Sequence, residues 1–165
     1  MLKRTAAVFA AAASVLGVSA AVAPAAQAGG YGCAGNLVKT IPVPLKDMLT
    51  GKTYYRSDIK LYYNPKSGWN CAVMVKRPGK ARYNAKVPMY LEIMNSRWAE
   101  DRQKNNVDRD QGNFRRYAGP VKVNGRWKGR GLCISVHALY SDAEASRYHG
   151  PEWNGRLHKS GLACR

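Results

Sequence analysis

The sequence predicts an all-β protein, a small antiparallel sandwich or barrel of about six strands that is stapled by disulfides and ends in an irregular tail. Three observations lead to this class. Short segments alternate apolar and polar side chains, as strands with one buried face do. Turn residues such as Gly, Pro and Asn separate these segments at short intervals. Four cysteines stand in a short chain that begins with an export signal.

That export signal occupies residues 1 to 28. Lys3 and Arg4 supply positive charge, the stretch 6–23 is uncharged and rich in Ala and Val, and Ala26-Gln27-Ala28 matches a cleavage site. A retained membrane helix is the alternative, but the apolar stretch is mostly alanine and leads directly into that site. We expect cleavage after Ala28, so that residues 29–165 form one secreted β domain, extracellular or attached to the cell surface.

The cysteines are expected to form two disulfides, because an even number in an exported chain is typical of a covalent framework. They are Cys33, Cys71, Cys133 and Cys164. Three pairings are open, and we favour Cys33–Cys71 with Cys133–Cys164 because each joins an end of the chain to a predicted strand. Zinc binding is the competing interpretation, but no C-x-x-C pair occurs and no histidine stands at ligand spacing, so no metal is expected.

Alternation and turn signals place the individual strands. They are predicted at residues 37–43, 53–63, 69–76, 87–94, 114–123 and 132–138. The clearest alternation is at 69–76, and Asn64-Pro65-Lys66-Ser67-Gly68 before it is typical of a turn. Asn124-Gly125 is a hairpin signal. Residues 95–113 are expected to form a long polar loop, with room for a short helix near Trp98, and residues 141–165 an irregular tail.

Charge is the most distinctive property of the mature chain. Without Lys3 and Arg4 it keeps 25 basic residues against 10 acidic ones, a net charge of +15. Such a charge attracts polyanions. Two segments, 76–86 and 113–131, contain no Asp or Glu, and aromatic residues lie among their cations. The candidate polyanion-binding residues are Lys76, Arg77, Lys80, Arg82, Lys86, Arg115, Arg116, Lys122, Arg126, Trp127, Lys128 and Arg130.

Aromatic rings beside cations are typical of single-strand binding. The rings in these segments are Tyr83, Phe114, Tyr117 and Trp127. An ordinary solvated surface has the same composition and remains the competing interpretation.

No catalytic site is predicted. The chain lacks G-x-S-x-G, H-E-x-x-H and P-loop patterns. Alternation places Glu92 and His137 opposite the apolar faces of their strands, so we expect neither to be catalytic. No cofactor is expected.

Several blocks of the sequence resemble a family of small exported actinobacterial proteins related to spore-associated protein A. The blocks are 32–37, 59–63, 70–73, 110–121 and 131–135, and their order carries the resemblance. It implies a secreted, cysteine-stapled protein and no catalytic residues, because none are established for the family. The chain is more basic than the family, and its tail with Cys164 departs from it, so the resemblance does not extend to the disulfide pairing.

The sequence therefore favours a non-enzymatic secreted protein that associates with the cell envelope or spore surface through anionic polymers. An extracellular nucleic-acid-binding module is the first alternative. A small hydrolase, whose turnover would depend on Glu92 or a histidine, is the second. A protease inhibitor with residues 95–113 as its reactive loop is the third. Composition leaves the oligomeric state open.

Overall fold

The computed structural model describes residues 29–46, 50–103, 105–141 and 155–164. The predicted signal peptide, the tail segment 142–154 and His149 lie outside the described residues. The described chain is all-β, which confirms the predicted class. The strands are β1 (Asn36–Lys46), β2 (Thr53–Asn64), β3 (Trp69–Lys76), β4 (Val87–Asn95), β5 (Val107–Phe114), β6 (Tyr117–Asn124), β7 (Arg126–Trp127), β8 (Arg130–Gly131), β9 (Ile134–Tyr140) and β10 (Gly155–Leu162).

Two four-stranded antiparallel sheets form a sandwich. Sheet A has the order β1-β2-β3-β6, and sheet B has the order β10-β9-β4-β5. The inward residues of both sheets build one apolar core, because alternate side chains of a strand point to the same face. Ile59 and Leu61 of sheet A are fully buried there, as are Leu91, Ile93 and Val136 of sheet B.

The strand β3 is buried on both faces. Ala72 and Met74 point into the core between the sheets. Cys71 and Val73 point outward and form a second small cluster with Cys33 and other residues of the sheet surface. The disulfide Cys33–Cys71 fastens the N-terminal segment over this cluster. Both sets of the alternating pattern at 69–76 are therefore buried, and the pattern alone does not tell which set faces the core.

The second disulfide joins Cys133, just before β9, to Cys164, just after β10. Both predicted pairings are confirmed, and none of the cysteines in the described residues is free. The predicted turn before β3 is also confirmed: the amide of Gly68 donates to the carbonyl of Asn64 at 2.8 Å, and Gly68 has a φ of 75°. Glycine suits this position because it adopts positive φ without steric cost.

Two regions differ from the prediction. Of the expected loop 95–113, Asn95 ends β4 and Val107–Phe114 forms β5 at the edge of sheet B, so only 96–103 and 105–106 are loop among the described residues. Turns replace the short helix near Trp98. The expected irregular tail contains β10, which pairs with β9. Both are edge strands with few apolar side chains, so alternation does not mark them.

The hairpin signal at Asn124-Gly125 is displaced by a few residues. Asn124 ends β6, and a two-stranded ribbon, β7–β8, turns at Lys128-Gly129 instead. Both turn residues have positive φ, at 46° and 77°. That combination is the backbone of a type I′ hairpin turn.

The two sheets meet at a corner where β5 continues into β6. The amide of Gly119 donates to the Asp110 carboxylate at 2.7 Å, and the amide of Lys122 donates to the Asp108 carboxylate at 2.9 Å. Side chains of β5 thus occupy amides along β6, the edge strand of sheet A. This corner brings the connection at residues 115–116 to the same end of the sandwich as the loop 77–86.

Candidate anion-binding site

The candidate site begins at a buried lysine, Lys76, the last residue of β3. Its side chain points inward, on the same face of β3 as Asn70, Ala72 and Met74, and the residue is only 1% exposed. The ammonium donates to the carbonyl oxygens of Arg82 at 2.6 Å, Ala85 at 2.6 Å and Arg115 at 3.0 Å. The prediction that Lys76 binds a polyanion at the surface is therefore corrected: this ammonium is enclosed and holds backbone together.

Those three bonds bring two distant parts of the sequence into contact. Arg82 and Ala85 belong to the loop that leads from sheet A to sheet B after β3, whereas Arg115 lies in the turn that leads back after β5. A further backbone bond joins the Lys76 amide to the Arg116 carbonyl at 2.9 Å. The guanidinium of Arg116 also lies over the Tyr83 ring, 4.5 Å from its centre. The segment 76–86 and the start of the segment 113–131 thus share one end of the sandwich.

The pKa of Lys76 reflects its burial and the number of positive charges that lie at this end of the sandwich. Burial, followed by the nearby charges of Arg82, Arg115 and Arg116, lowers the pKa of Lys76 to about 8. Repulsion between like charges disfavours the protonated ammonium. The side chains that carry the exposed or half-buried charge here are called the cationic end below. They are Lys80, Arg82, Lys86, Arg115 and Arg116.

Arg77 lies beside the cationic end but is paired. Its guanidinium makes two hydrogen bonds to the Asp58 carboxylate, at 2.6 and 2.8 Å, and lies 5.5 Å from the centre of the Tyr55 ring. Hydrogen bonding to Asp58 raises the pKa of Arg77. Because a carboxylate already neutralises it, Arg77 contributes less to an anion site than the sequence suggested.

The other predicted residues lie at the opposite end. The exposed ribbon β7–β8 lies there, beside the turn between β2 and β3, and carries Arg126, Trp127, Lys128 and Arg130. β3 runs the length of the sandwich between the two ends, about 23 Å at 3.3 Å per residue. Lys122 is exposed on β6 between them. The segment 113–131 is therefore continuous in sequence but divided in space.

The aromatic rings in these segments already have partners. The Trp127 ring is 41% exposed, and the Arg97 guanidinium and the Lys128 ammonium lie 4.2 and 4.6 Å from its centre. Tyr117 makes an edge-on contact with Tyr31 at 5.2 Å between ring centres. Phe114 packs against the core. A base that stacked on Trp127 would compete with two cations for the ring.

A second group of polar side chains lies on the outer face of sheet B. Cross-strand pairing places Arg109 of β5, Glu92 of β4, His137 of β9 and His158 of β10 in one row. The prediction that Glu92 and His137 point away from the core is confirmed by the alternating burial of β4 and β9. What the sequence did not indicate is that they are neighbours, because only the strand register brings them together.

A groove of about 420 Å³ lies next to this row, toward the cationic end. Its lining includes Tyr90, Gln111, Leu139 and Arg156, which pair across the four strands of sheet B. The pKa of Tyr90 is raised, mainly by burial and then by Glu92. In the part of the chain that the structure describes, no group of three or more His, Cys, Asp and Glu side chains could hold a metal ion.

Comparisons with protein families, with curated proteins and with solved structures found no match to this chain. The resemblance to the actinobacterial family therefore stays a prediction. Within the described residues, no helix is long and apolar enough to cross a membrane.

Proposed function

We propose that this protein is an exported binding protein that associates with the cell envelope or spore surface through anionic polymers. The observation that carries the proposal is the cationic end. Its five basic side chains lie on two separate connections whose carbonyl oxygens hold one buried ammonium, and neither acid-free segment supplies a carboxylate. Such clustering has a cost, because self-repulsion destabilises the compact state. A bound polyanion relieves that repulsion.

Charge, rather than stacking, is the main basis of recognition in this proposal. The ring of Trp127 is held between its own cations, and Arg116 covers the ring of Tyr83. Polymers that differ in everything except charge density should then bind comparably. Teichoic acid, heparin and DNA are three such polymers.

A nucleic-acid-binding protein is the second candidate, favoured by the exposed Trp127 among basic residues of the ribbon. It differs from the first candidate in one expectation, a preference for single-stranded nucleic acid over other polyanions. The protease-inhibitor alternative keeps only the first part of the loop on which it depended, because residues 107–114 form β5.

The proposal is tested with three variants that each lose three charges. The first carries Lys86→Gln, Arg115→Gln and Arg116→Gln at the cationic end. The second carries Arg126→Gln, Lys128→Gln and Arg130→Gln in the ribbon. The third carries Lys39→Gln, Lys52→Gln and Lys159→Gln, which are exposed and lie outside both acid-free segments. The third variant controls for net charge alone.

Binding to teichoic acid, heparin and DNA is measured as a function of salt. We expect wild-type affinity to fall steeply with salt for all three polymers, because binding releases counterions. The cationic-end variant should lose the most affinity and, on DNA, about 2 to 3 units of the logarithmic salt slope. Equal losses in all three variants, or no wild-type binding at low salt, would overturn the proposal.

A further inference from the structure

The row on the outer face of sheet B contains the groups needed for proton transfer. The rings of His137 and His158 are 5.9 Å apart between centres, and Tyr90 lies 5.5 Å from His137 on the other side. Glu92 pairs with His137 across the strands. Two imidazoles at this distance can both reach one tetrahedral group, one as a base and the other as an acid.

A cation lies on the same face. Arg156 stands two residues before His158 on β10, and both side chains are exposed on either side of the buried Leu157. Arg156 also lines the groove. Guanidinium groups stabilise the negative charge that develops on phosphoryl oxygens. The face therefore combines a base, an acid and an anion-stabilising group, although none of the three is adjacent to another in sequence.

We propose that this face cleaves the phosphodiester backbone of single-stranded RNA. His137 removes the proton of a ribose 2′-hydroxyl, and the resulting oxygen attacks the adjacent phosphorus. The bond from phosphorus to the 5′ oxygen of the next nucleotide breaks, and a protonated His158 donates its proton to that oxygen. The products are a 2′,3′-cyclic phosphate and a 5′-hydroxyl, and one proton is taken up for each one given.

Glu92 and Arg156 have defined roles in this step. Glu92 lies between His137 and Arg109 in the cross-strand row, and its carboxylate stabilises the imidazolium that His137 becomes, as the acid does in other histidine-based sites. Arg156 faces the phosphoryl oxygens as they gain charge. We assign the base to His137 because it, and not His158, pairs with the carboxylate.

The groove connects this row to the cationic end. The part of the groove nearer the cationic end is lined by Pro88, Asn113 and Ser141. Lys86 and Arg115 lie directly beyond the paired ends of β4 and β5. From Pro88 to Glu92 is about 13 Å along the strand, enough for about two nucleotides of backbone. The inference rests on the proposed function in one respect, since the cationic end holds the polymer.

The groove favours RNA over other phosphate polymers. The reaction needs a hydroxyl beside the phosphodiester, which RNA has and DNA lacks. Tyr90 and Leu139 offer ring and aliphatic surface for a base, and the amides of Gln111 and Asn113 can bond to base edges. A polyol phosphate has the hydroxyl but no base to fill this groove.

The test uses one RNA oligonucleotide and its fully 2′-O-methylated copy, both labelled, in the presence of EDTA. The proteins are the wild type, His137→Gln, His158→Gln, and the controls Ser135→Ala and Ser160→Ala, all purified identically to expose any contaminating nuclease. Cleavage is followed on gels, the cyclic phosphate by mass spectrometry, and binding by anisotropy on the methylated copy.

We expect the wild type and both serine variants to cleave RNA and leave the methylated copy intact. Each histidine variant should lose at least about 100-fold in rate while its affinity for the methylated copy stays within about threefold. No cleavage by a wild type that binds the methylated copy overturns this inference and leaves the proposed function standing. Wild-type activity in the histidine variants, or cleavage of the methylated copy, also overturns it.

Discussion

The ammonium of Lys76 lies 2.6 Å from the carbonyl oxygen of Arg82, and both residues belong to the segment 76–86 that the sequence marked as one basic surface. One of them is buried and fixes the backbone, while the other remains part of the cationic end. The structural lysine thus positions the segment that carries the charge. Stability and anion binding should therefore be coupled at this end of the sandwich.

Replacing Lys76 should destabilise the protein. Lys76→Met keeps the stem but removes the donor to three carbonyl oxygens. We expect a loss of about 2 to 4 kcal/mol in the free energy of unfolding, because hydrogen bonds to charged groups are worth more than neutral ones. Urea unfolding measures it, with the exposed Lys80→Met as control. A loss below about 0.5 kcal/mol would show that water replaces the ammonium at no cost.

The same lysine predicts a pH dependence. Its pKa is lowered from 10.5 to about 8 in the folded protein. Between these values the unfolded chain binds more protons than the folded one, so the contribution of Lys76 to stability rises with pH across this window. The difference in unfolding free energy between wild type and Lys76→Met should be constant below about pH 7 and increase from pH 8 to 10. A decrease over that range would contradict the prediction.

Asn95 should play the corresponding role at the ribbon end. Its buried amide nitrogen donates at 2.9 Å to both Asn106 and the Asn124 carbonyl, and its oxygen accepts from the Arg97 amide. Asn95→Ala should cost about 2 to 3 kcal/mol, since it leaves buried polar groups without this partner. Thermal unfolding measures the loss. The exposed Asn84→Ala should change stability by less than about 0.5 kcal/mol, and an equal effect would refute the assignment.

Thiol titration under denaturing conditions should find no free cysteine in the protein. Replacing Cys33 and Cys71 together by Ala should then destabilise it by about 4 kcal/mol, as expected from chain entropy for a separation of 38 residues. The Cys133 and Cys164 pair, separated by 31 residues, should cost a similar amount. Denaturant unfolding tests both. A wild-type level of stability in either double variant would show that the bridge does not restrict the unfolded chain.

Trp127 should matter little for anion binding. Arg97 and Lys128 already lie against its ring, so base stacking must displace them. We expect Trp127→Ala to weaken binding to single-stranded DNA and to heparin by less than about threefold each. Loss of about 1 to 3 kcal/mol on DNA alone would instead show stacking. That result would favour the nucleic-acid alternative at the ribbon.

The alternation of apolar and polar residues predicted the strands that bury one face, such as β4 and β9. These strands make up most of the two sheets. Alternation failed where a strand lies at a sheet edge: β5 reads Val-Asp-Arg-Asp-Gln-Gly-Asn-Phe and has no apolar face. Such a strand forms because its neighbour supplies hydrogen bonds, which the local sequence does not record. The burial of Lys76 was missed for a related reason, because both faces of β3 are covered.

The candidate sites depended still more on tertiary structure. Because Arg115 and Arg126 belong to the same acid-free segment, the sequence suggested that they act together. In the structure, β6 lies between them and carries the chain from one end of the sandwich to the other. Glu92 and His137 were singled out separately, and only the register of β4 with β9 makes them neighbours. Residue type therefore identified the candidate side chains, whereas only strand pairing showed which of them lie together.

If the protein binds along a polymer as proposed, the carboxylates of Asp108 and Asp110 at the corner between the sheets have a further consequence. Binding along a polyanion raises the local concentration of bound copies, and exposed sheet edges then tend to pair from one copy to the next. Because these two side chains already occupy the amides of Lys122 and Gly119, they leave fewer donors along β6 for a neighbour. On the proposed function, these two of the chain's ten acidic residues would therefore limit edge-to-edge pairing between copies bound along one polymer.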